Sequence, residues 1–169
     1  VGQNNWEEID VGQVGADYGW NVREGVCANG STRACPPSNP TPPGMTEPLF
    51  AYWHGAAIPG TQTSGCDSIT GGAFVPNGAW PAEYDDSYLF ADYVCGAIFV
   101  LRRNGSAVTV ADFARNLGNS SAVHLRFGPY AGGQALYYTT YASGGQVRRI
   151  SPATAVNPPP TAAISATPM

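Results

Sequence analysis

The sequence predicts an all-β chain of short antiparallel strands, on the evidence of its composition and its alternation. Among 169 residues there are 21 Gly and 15 Pro, and only 12% are charged. That composition gives many turns and few good helix formers. Alternation is clearest over 88–110, YLFADYVCGAIFVLRRNGSAVTV, where apolar residues recur at every second position. Gly96 and Asn104-Gly105 interrupt that stretch where a chain would turn.

Eight strands follow from the same reading along the chain. They are expected at 49–54, 70–75, 87–93, 96–102, 107–113, 122–127, 135–140 and 146–150. Clusters of Gly, Pro, Asn and Ser separate them at intervals that suit tight turns, which indicates meanders of neighbouring strands. One helical turn is expected over 81–86, with Pro81 at its first position.

The two ends of the chain differ from its middle. The first 25 residues contain two strand fragments and no cap or polar tail, so we expect the chain to begin in mid-domain. Residues 152–169 change in composition to Pro, Ala and Thr, which is typical of an extended linker that leads into a further module. We therefore expect the natural protein to be longer at both ends.

Charge and hydropathy exclude two classes of partner. The formal net charge is −4, and all eight basic residues are arginines. They cluster only as Arg102-Arg103 and Arg148-Arg149, so no nucleic-acid surface is expected. No apolar run approaches the roughly 20 residues that span a bilayer, so no membrane span is expected either.

Four cysteines, at positions 27, 35, 66 and 95, indicate the compartment. Their spacing contains no C-x2-C pair, and His54 and His124 lie far apart, which does not fit a zinc site. Two disulfides in an extracellular or secreted protein are expected instead. Of the three connectivities, Cys27 to Cys35 with Cys66 to Cys95 needs the least chain excursion.

Asp92 is the most conspicuous acidic residue, because it lies in an aromatic strand. Cys95 and Gly96 follow it where the strand must turn, so its carboxylate can accept backbone N–H groups of that turn. We favour this structural role over a catalytic one. Its alternative is a group that faces a ligand.

Glu7, Glu8 and Glu24 are three other carboxylates for which a structural and a catalytic role are the alternatives. Glu7 and Glu8 are adjacent, so they point to opposite faces of a strand and cannot form a facing acid and base. Glu8 is expected to turn inward. Glu24 follows Arg23 in a loop, where an ion-paired turn residue is the expectation.

Three stretches of the chain resemble a known family. They are NNWEEIDVGQVGADYGWNVREG, SITGGAFVPNGAWPAEYDDSYLFADYVCGAIFVL and VHLRFGPYAGGQALYYTTYASGGQVRRIS. In this order they resemble the C-terminal part of the glucose/sorbosone dehydrogenase family, six-bladed β-propellers that include quinoprotein sugar dehydrogenases. The resemblance covers nearly all of 2–151, and its W-E-E-I, Y-G-W and I-T-G-G motifs are quite specific. The closing VNPPPTAAISATP is similar to the start of an immunoglobulin-like PKD domain.

The resemblance implies a partial propeller. Residues 1–151 would be C-terminal blades, and 152–169 would be the linker and the possible start of a PKD-like domain. Because a blade is a four-stranded antiparallel meander of about 40 to 50 residues, 50–151 would supply roughly two blades. Their open apolar faces would be covered by missing blades or by another chain.

The resemblance also bears on catalysis. Enzymes of the family use pyrroloquinoline quinone (PQQ) with calcium and a histidine base, and that histidine would lie before Val1, so no residue of this chain is expected to be catalytic. Basic residues meet the cofactor at the positions of Val94, Ser121 and Val123, which are uncharged here. Each missing contact would cost about 1.5 to 3 kcal/mol, which makes PQQ binding doubtful. Arg126 is the nearest cation that could compensate.

Other residues are candidates for ligand contact. The resemblance places backbone carbonyl ligands for calcium at Gly2 and Gln3, so a calcium ion is possible. Aromatic stacking on a sugar ring is expected first from Trp20, Tyr52 and Trp53. The axial funnel of the propeller would also receive His54, Asp92 and Arg126.

Two functions remain open on the sequence. The first is the C-terminal portion of a secreted dehydrogenase-like propeller that is incomplete for catalysis by itself. The second is a non-catalytic extracellular binding or scaffold propeller that recognises a protein or carbohydrate partner. A fold alone does not decide between them.

Overall fold

A computed structural model describes residues 2–31, 35 and 40–152 of the chain. The strands are β1 (Trp6–Ile9), β2 (Arg23–Glu24), β3 (Cys27–Ala28), β4 (Phe50–Trp53), β5 (Ile69–Phe74), β6 (Tyr88–Asp92), β7 (Ala97–Asn104), β8 (Ala107–Ala114), β9 (Ser121–Tyr130), β10 (Gly133–Thr140) and β11 (Gln146–Ile150). Two single 3-10 turns, Ala82–Tyr84 and Ala142–Gly144, are the only helical segments in these ranges. The all-β prediction is confirmed. All eight predicted strands are present, and the predicted helical turn is the first of the 3-10 turns, preceded by Pro81.

Every paired strand is antiparallel to its neighbours. A four-stranded sheet has the order β5-β6-β7-β8, so 69–114 is one uninterrupted meander. A three-stranded sheet has the order β11-β10-β9, and two further pairs are β1-β4 and β2-β3. Where roughly two blades were expected from 50–151, the chain from β5 to β11 forms one four-stranded and one three-stranded sheet. The strand β4 leaves that region to pair with β1, where Glu7 faces Tyr52 in register.

The four-stranded sheet is buried on both faces, because the side chains of its central strands alternate between two clusters. One face, which we call the first joint, packs against the β1-β4 sheet through Tyr52, Phe90, Phe99 and Leu101. The other face, the second joint, packs against the three-stranded sheet through a second apolar cluster. That cluster includes Trp80, Leu89, Ile98, Val100, Leu125, Leu136 and Tyr138.

The I-T-G-G motif explains how closely two sheets approach at the second joint. Thr70 Oγ1 donates to the Ala122 carbonyl at 2.8 Å, which fixes β5 against β9. A Cβ atom on Gly71 would lie 2.6 Å from His124 Cα, and one on Gly72 would collide with the Tyr88 hydroxyl. The close backbone approach thus requires Gly71, whereas a side chain at Gly72 would displace the Tyr88 ring.

Candidate functional site

The candidate site is the end of the sheets at which β4, β6, β8 and β10 finish and β5, β7 and β9 begin. We call it the loop end. Three pairs of facing residues mark it in the register of the strands: Ile69 with Asp92, Asp92 with Ala97, and Ser121 with Thr140. Its loops touch one another, since the Leu117 N–H donates to the Gly96 carbonyl and the Ser120 N–H to the Tyr93 carbonyl.

Asp92 organises the first joint at this end. Its side chain is fully buried and accepts four hydrogen bonds. The N–H groups of Val94 and Cys95 donate to Oδ1 at 2.9 and 3.1 Å, and the Ser68 N–H and the Tyr52 hydroxyl donate to Oδ2 at 2.8 and 2.6 Å. The predicted acceptor role in the turn is confirmed. A carboxylate with four donors is fully satisfied, and the side chain has no surface to offer a ligand.

Tyr52 belongs to the same network. Burial, and then the charge of Asp92, raise the pKa of its hydroxyl far above the usual value, so it remains a proton donor. Its ring is only 2% exposed, in the core of the first joint. The structure therefore places Tyr52 inside the protein, where it does not present a face for stacking on a sugar. Alternation alone could not show this, because both faces of the neighbouring sheet are buried.

Glu7 and His54 form a second buried pair. Glu7 is 1% exposed; its Oε1 lies 2.9 Å from His54 Nε2, and its Oε2 accepts the Ile69 N–H at 2.8 Å. Burial raises the pKa of Glu7, and the bonds from Ile69 and His54 oppose that shift only in part. A carboxylate that orients an imidazole is the arrangement of a base and its positioning group. Glu7 is buried, but His54 is partly exposed. Of the two residues in this pair, His54 is therefore the one that a ligand at the loop end can reach.

The expectation that Glu8 turns inward is wrong, because Glu7 is the buried residue of the pair. Ile9 packs against the core of the first joint, and Glu7, two residues earlier, shares its face of β1. That apolar neighbour is the signal in the sequence that identifies Glu7. Glu8 is half-buried on the opposite face.

Glu24 holds the start of the described chain. Its Oε1 accepts the N–H groups of four consecutive residues, 3–6, at 2.6 to 3.2 Å. Burial opposes ionisation, but the bonds from Asn5, Asn4, Trp6 and Gln3 outweigh it and lower the pKa to about 2. The expected ion pair with Arg23 is wrong. Arg23 instead reaches Glu47 at 3.1 Å, and the negative charge of Glu24 is stabilised by backbone donors.

Both predicted disulfides are present, Cys27 with Cys35 and Cys66 with Cys95. The second joins the segment before β5 to the turn after β6, beside Asp92. Cys66, Asp92 and Cys95 are also the only cluster of metal-ligand types in the described residues. Because both sulfurs are in the disulfide and the carboxylate is occupied by donors, this cluster does not fit a metal ion.

The positions expected to meet PQQ do not fit that cofactor. Val94 is partly exposed and apolar, Val123 is half-buried, and Ser121 is buried with its hydroxyl donating to the Leu117 carbonyl at 3.0 Å. Arg126 is exposed in the middle of β9, five residues beyond Ser121 or about 16 Å along an extended strand, so it does not replace the missing cations at the loop end. A cofactor with several carboxylates finds no charged partner at these three positions.

A calcium site at Gly2 and Gln3 would depend on few ligands. The Gln3 N–H is turned to Glu24, and both oxygens of that carboxylate accept hydrogen bonds. Two backbone carbonyls supply only part of the six to eight oxygens that calcium takes. Two further acids, Glu8 and Asp10, each have one buried oxygen without a partner among the described residues. Burial raises the pKa of both, with the charge of Asp10 as the next cause at Glu8.

The structure does not assemble all the predicted funnel residues. Tyr52 and Asp92 are hydrogen-bonded at the first joint, whereas the partner of His54 is Glu7. Trp53 packs edge-to-face on Trp6 with ring centroids 5.4 Å apart. Trp20 is 58% exposed in the turn before β2 and remains open to a ligand.

Tyr93, which the sequence did not single out, forms an aromatic pair with Tyr141 at the loop end, with centroids 6.4 Å apart. They come from separate sheets, so no local sequence pattern brings them together. In the described ranges no helix is long and apolar enough to cross a membrane.

Comparisons with known proteins agree with this fold. No family model matches the chain. Over 99 residues it is 28% identical to the HIPL2 protein of Arabidopsis thaliana. The aligned region covers 59% of this chain and 14% of that protein. Its structure is similar to that of a glucose dehydrogenase, with a TM-score of 0.62 and 21% identity over 89% of this chain and 39% of the other. It is also similar to the soluble aldose sugar dehydrogenase of Escherichia coli in the apo-form, with a TM-score of 0.61 and 23% identity. That alignment covers 90% of this chain and 40% of the other.

These neighbours confirm the predicted fold, that of a sugar dehydrogenase-like propeller. The chain spans 14%, 39% and 40% of the lengths of these three proteins, which is consistent with an incomplete propeller. The four-stranded sheet is then one blade, and the three-stranded sheet belongs to the next. The PKD-like module falls on residues outside the described ranges.

Proposed function

We propose that this chain is the C-terminal blade segment of an extracellular, glucose/sorbosone dehydrogenase-like propeller, and that it builds the wall of that propeller without supplying its catalytic groups. The observation that carries the proposal is the loop end of a dehydrogenase-like fold with Val94, Ser121 and Val123 where cations would meet a quinone. Two disulfides support the extracellular assignment. Further blades or another chain would cover the open faces, including the exposed edge of β11.

PQQ titration tests this proposal directly. Isothermal titration of the chain with PQQ and calcium is expected to show no micromolar binding, and a dye-reduction assay on a panel of aldoses no turnover. A positioned base contributes about two to four orders of magnitude in rate, and this chain is expected to lack one. Micromolar binding with sugar-dependent turnover would overturn the proposal and would make His54, oriented by Glu7, the first candidate base.

Restored cations sharpen the test. The double variant Val94→Lys, Val123→Arg is expected to raise PQQ affinity roughly tenfold or more, because charge-assisted bonds are worth about 1.5 to 3 kcal/mol each. Val14→Arg, at a fully exposed position, is the matched control and is expected to change nothing. Equal gains from both variants would mean that these positions do not face the cofactor.

A second function, a non-catalytic binding or scaffold propeller, is favoured by the exposed apolar and aromatic side chains at the loop end. Val94 and Tyr141 are exposed there, and Tyr141 pairs with Tyr93. Exposed aromatic and aliphatic groups of this kind are typical of the centre of a protein or carbohydrate interface. Tyr141→Ala is expected to abolish partner capture without lowering stability, and capture that survives this change would count against the second function.

A further inference from the structure

A groove opens at the end of the sheets opposite the loop end. It has a volume of about 410 Å³, and its walls are the end of β1, the segment before β4, and the strands β5, β6 and β7. Its lining includes the side chains of Ile9, Leu49, Phe74, Asp86, Tyr88 and Arg103. Both walls thus come from this chain, and the size lies in the range of small-ligand pockets. None of these residues takes part in the networks of the loop end.

An aromatic platform lies in the groove. Phe74 ends β5, and its side chain is 77% exposed. Its ring centroid lies 5.0 Å from that of Tyr88, which supports it from one side. Ile9, Leu49 and Leu101 extend the apolar lining, so the exposed ring is part of a continuous surface. A contiguous apolar surface with a polar rim marks a binding groove.

The polar rim is held in place by short-range contacts. The Asp86 N–H donates to Asn77 Oδ1 at 2.9 Å, and Asn77 Nδ2 donates to Asp86 Oδ1 at 2.6 Å, which leaves Oδ2 for another donor. Arg103 Nε donates to the Gly105 carbonyl at 2.9 Å. Its two terminal nitrogens have no hydrogen-bond or ion-pair partner among the described contacts, so they can serve a ligand.

We propose that this groove binds the pyranose ring of a neutral saccharide, which stacks on Phe74 and hydrogen-bonds to Asp86 and Arg103. The face of an aromatic ring is electron-rich and attracts the weakly positive C–H groups on the flat side of a sugar. Hydroxyls at the ring edge can donate to a carboxylate and accept from a guanidinium, which matches the rim. Asp10, Asp86 and Arg103 together carry a net negative charge, which disfavours anions.

An apolar peptide side chain fits the same groove less well. It would cover Phe74 but would leave the carboxylate of Asp86 and the guanidinium of Arg103 without partners, and such burial is costly. The saccharide is therefore the occupant that uses both the platform and the rim. This inference does not depend on the proposed function, because the two sites lie at opposite ends of the sheets.

Ligand-observed and protein-observed NMR on the full 169-residue chain test the inference. Methyl β-glucoside and cellobiose are the probes, and glucitol, which has no ring face, is the control ligand. Saturable shifts of the Phe74 and Tyr88 ring signals are expected with the first two probes only. If cellobiose binds more tightly than methyl β-glucoside, the natural ligand is the end of a polysaccharide. If the two bind equally, the natural ligand is a free sugar. The absence of saturable shifts with either sugar up to 50 mM, about the weakest affinity such a site would have, would overturn the proposal.

Variants separate the platform from the rim. Phe74→Ala is expected to weaken binding at least tenfold. Val147→Ala, which removes a similarly exposed apolar side chain on β11, is expected to leave it unchanged. Asp86→Asn keeps the backbone conformation, since asparagine tolerates the positive φ of 57° there, and is expected to weaken binding several-fold. Unchanged affinity in Phe74→Ala would place the sugar elsewhere. Unchanged affinity in Asp86→Asn would show an apolar groove that does not select saccharides.

Discussion

The two joints of the four-stranded sheet are built on different chemistry, although the same strands supply both. The first joint combines apolar side chains with buried carboxylates, Glu7 and Asp92, and a disulfide. The second joint is an apolar cluster with aromatic edges. It is closed by side-chain bonds from Thr70 to the Ala122 carbonyl and from Trp80 to the Gln134 carbonyl, and by the close backbone approach at Gly71. Only the first joint thus contains groups whose energy depends on protonation and on redox state.

This difference implies two modes of specificity. A buried carboxylate needs its donors in one particular arrangement, so the first joint fixes the register of β1, β4, β5 and β6. Desolvation of the carboxylates opposes this gain. An apolar joint tolerates changes of charge but responds to changes of volume, because interiors are close-packed. Removal of charge, of a covalent bond or of space should therefore affect the two joints differently.

The largest effect is expected from Asp92→Asn. Asparagine keeps one acceptor oxygen and turns an NH2 group toward donors that need an acceptor, so the unfolding free energy should fall by about 3–5 kcal/mol. Urea unfolding followed by circular dichroism measures it. Asp112→Asn is the control, since Asp112 accepts from Gln62 and Thr63 near the surface and should cost about 1 kcal/mol. Similar losses in the two variants would show that Asp92 is not the centre of the first joint.

A somewhat smaller effect is expected from loss of the disulfide at the first joint. Cys66→Ser with Cys95→Ser opens a loop of 29 residues and should cost about 3 kcal/mol. The matching pair Cys27→Ser with Cys35→Ser opens only 8 residues and should cost less. Because the Cys95 N–H donates to Asp92, the disulfide variant combined with Asp92→Asn should be non-additive. Strict additivity would mean that the bond and the carboxylate act independently.

The second joint should be destabilised by added side-chain volume. In Gly71→Ala the new methyl group meets the His124 backbone, so β5 and β9 must separate, at a cost of roughly 2 kcal/mol that is independent of pH. Gly133→Ala, in a strand with ordinary contact distances, should lie within about 0.5 kcal/mol of the parent. Thermal unfolding at two pH values measures both. Stability retained in Gly71→Ala would show that the two strands are not in backbone contact.

The smallest effect is a pH slope at Glu24. Its pKa of about 2 in the folded state is below the unfolded value of 4.5, so its stabilisation is present above pH 4.5 and is lost as the pH falls toward 2. Glu24→Gln should flatten that decline and cost roughly 1–2 kcal/mol at pH 7, since the amide oxygen still accepts some of the bonds. Urea midpoints between pH 2 and 7 measure the slope.

Glu7 should give the opposite sign. Its folded-state pKa is raised, so its contribution is fully present below pH 4.5 and is lost as the pH rises through the folded value. Glu7→Gln should therefore reduce the loss of stability above pH 4.5. A slope of the same sign in the two variants would contradict the assignment of donors to these carboxylates.

The sequence predicted what depends on local pattern. Alternation located the strands from β4 to β11, chain excursion selected the disulfides, and the turn after Asp92 indicated the role of that carboxylate. Features that depend on distant pairing were missed. The strand β4 pairs with β1 across more than 40 residues, which no local period encodes, and that pairing buries Tyr52 and brings His54 to Glu7.

The candidate site was predictable only in part for the same reason. Uncharged residues at Val94, Ser121 and Val123 are visible in the sequence, but the pairing of Tyr93 with Tyr141 depends on how two sheets pack. The groove was not foreseen at all. Phe74 alternates as a strand residue should, and Ile9 of β1, which lines the groove with it, lies far earlier in the chain.

The four amides held by Glu24 have a kinetic consequence. Because one oxygen accepts the N–H groups of residues 3–6, those amides can exchange with deuterium only when that single acceptor is withdrawn. They should share one protection factor and exchange as a unit, although they are consecutive residues outside any regular ladder except at Trp6. The backbone that leads into β1 is thus held in place by one carboxylate 18 to 21 residues downstream.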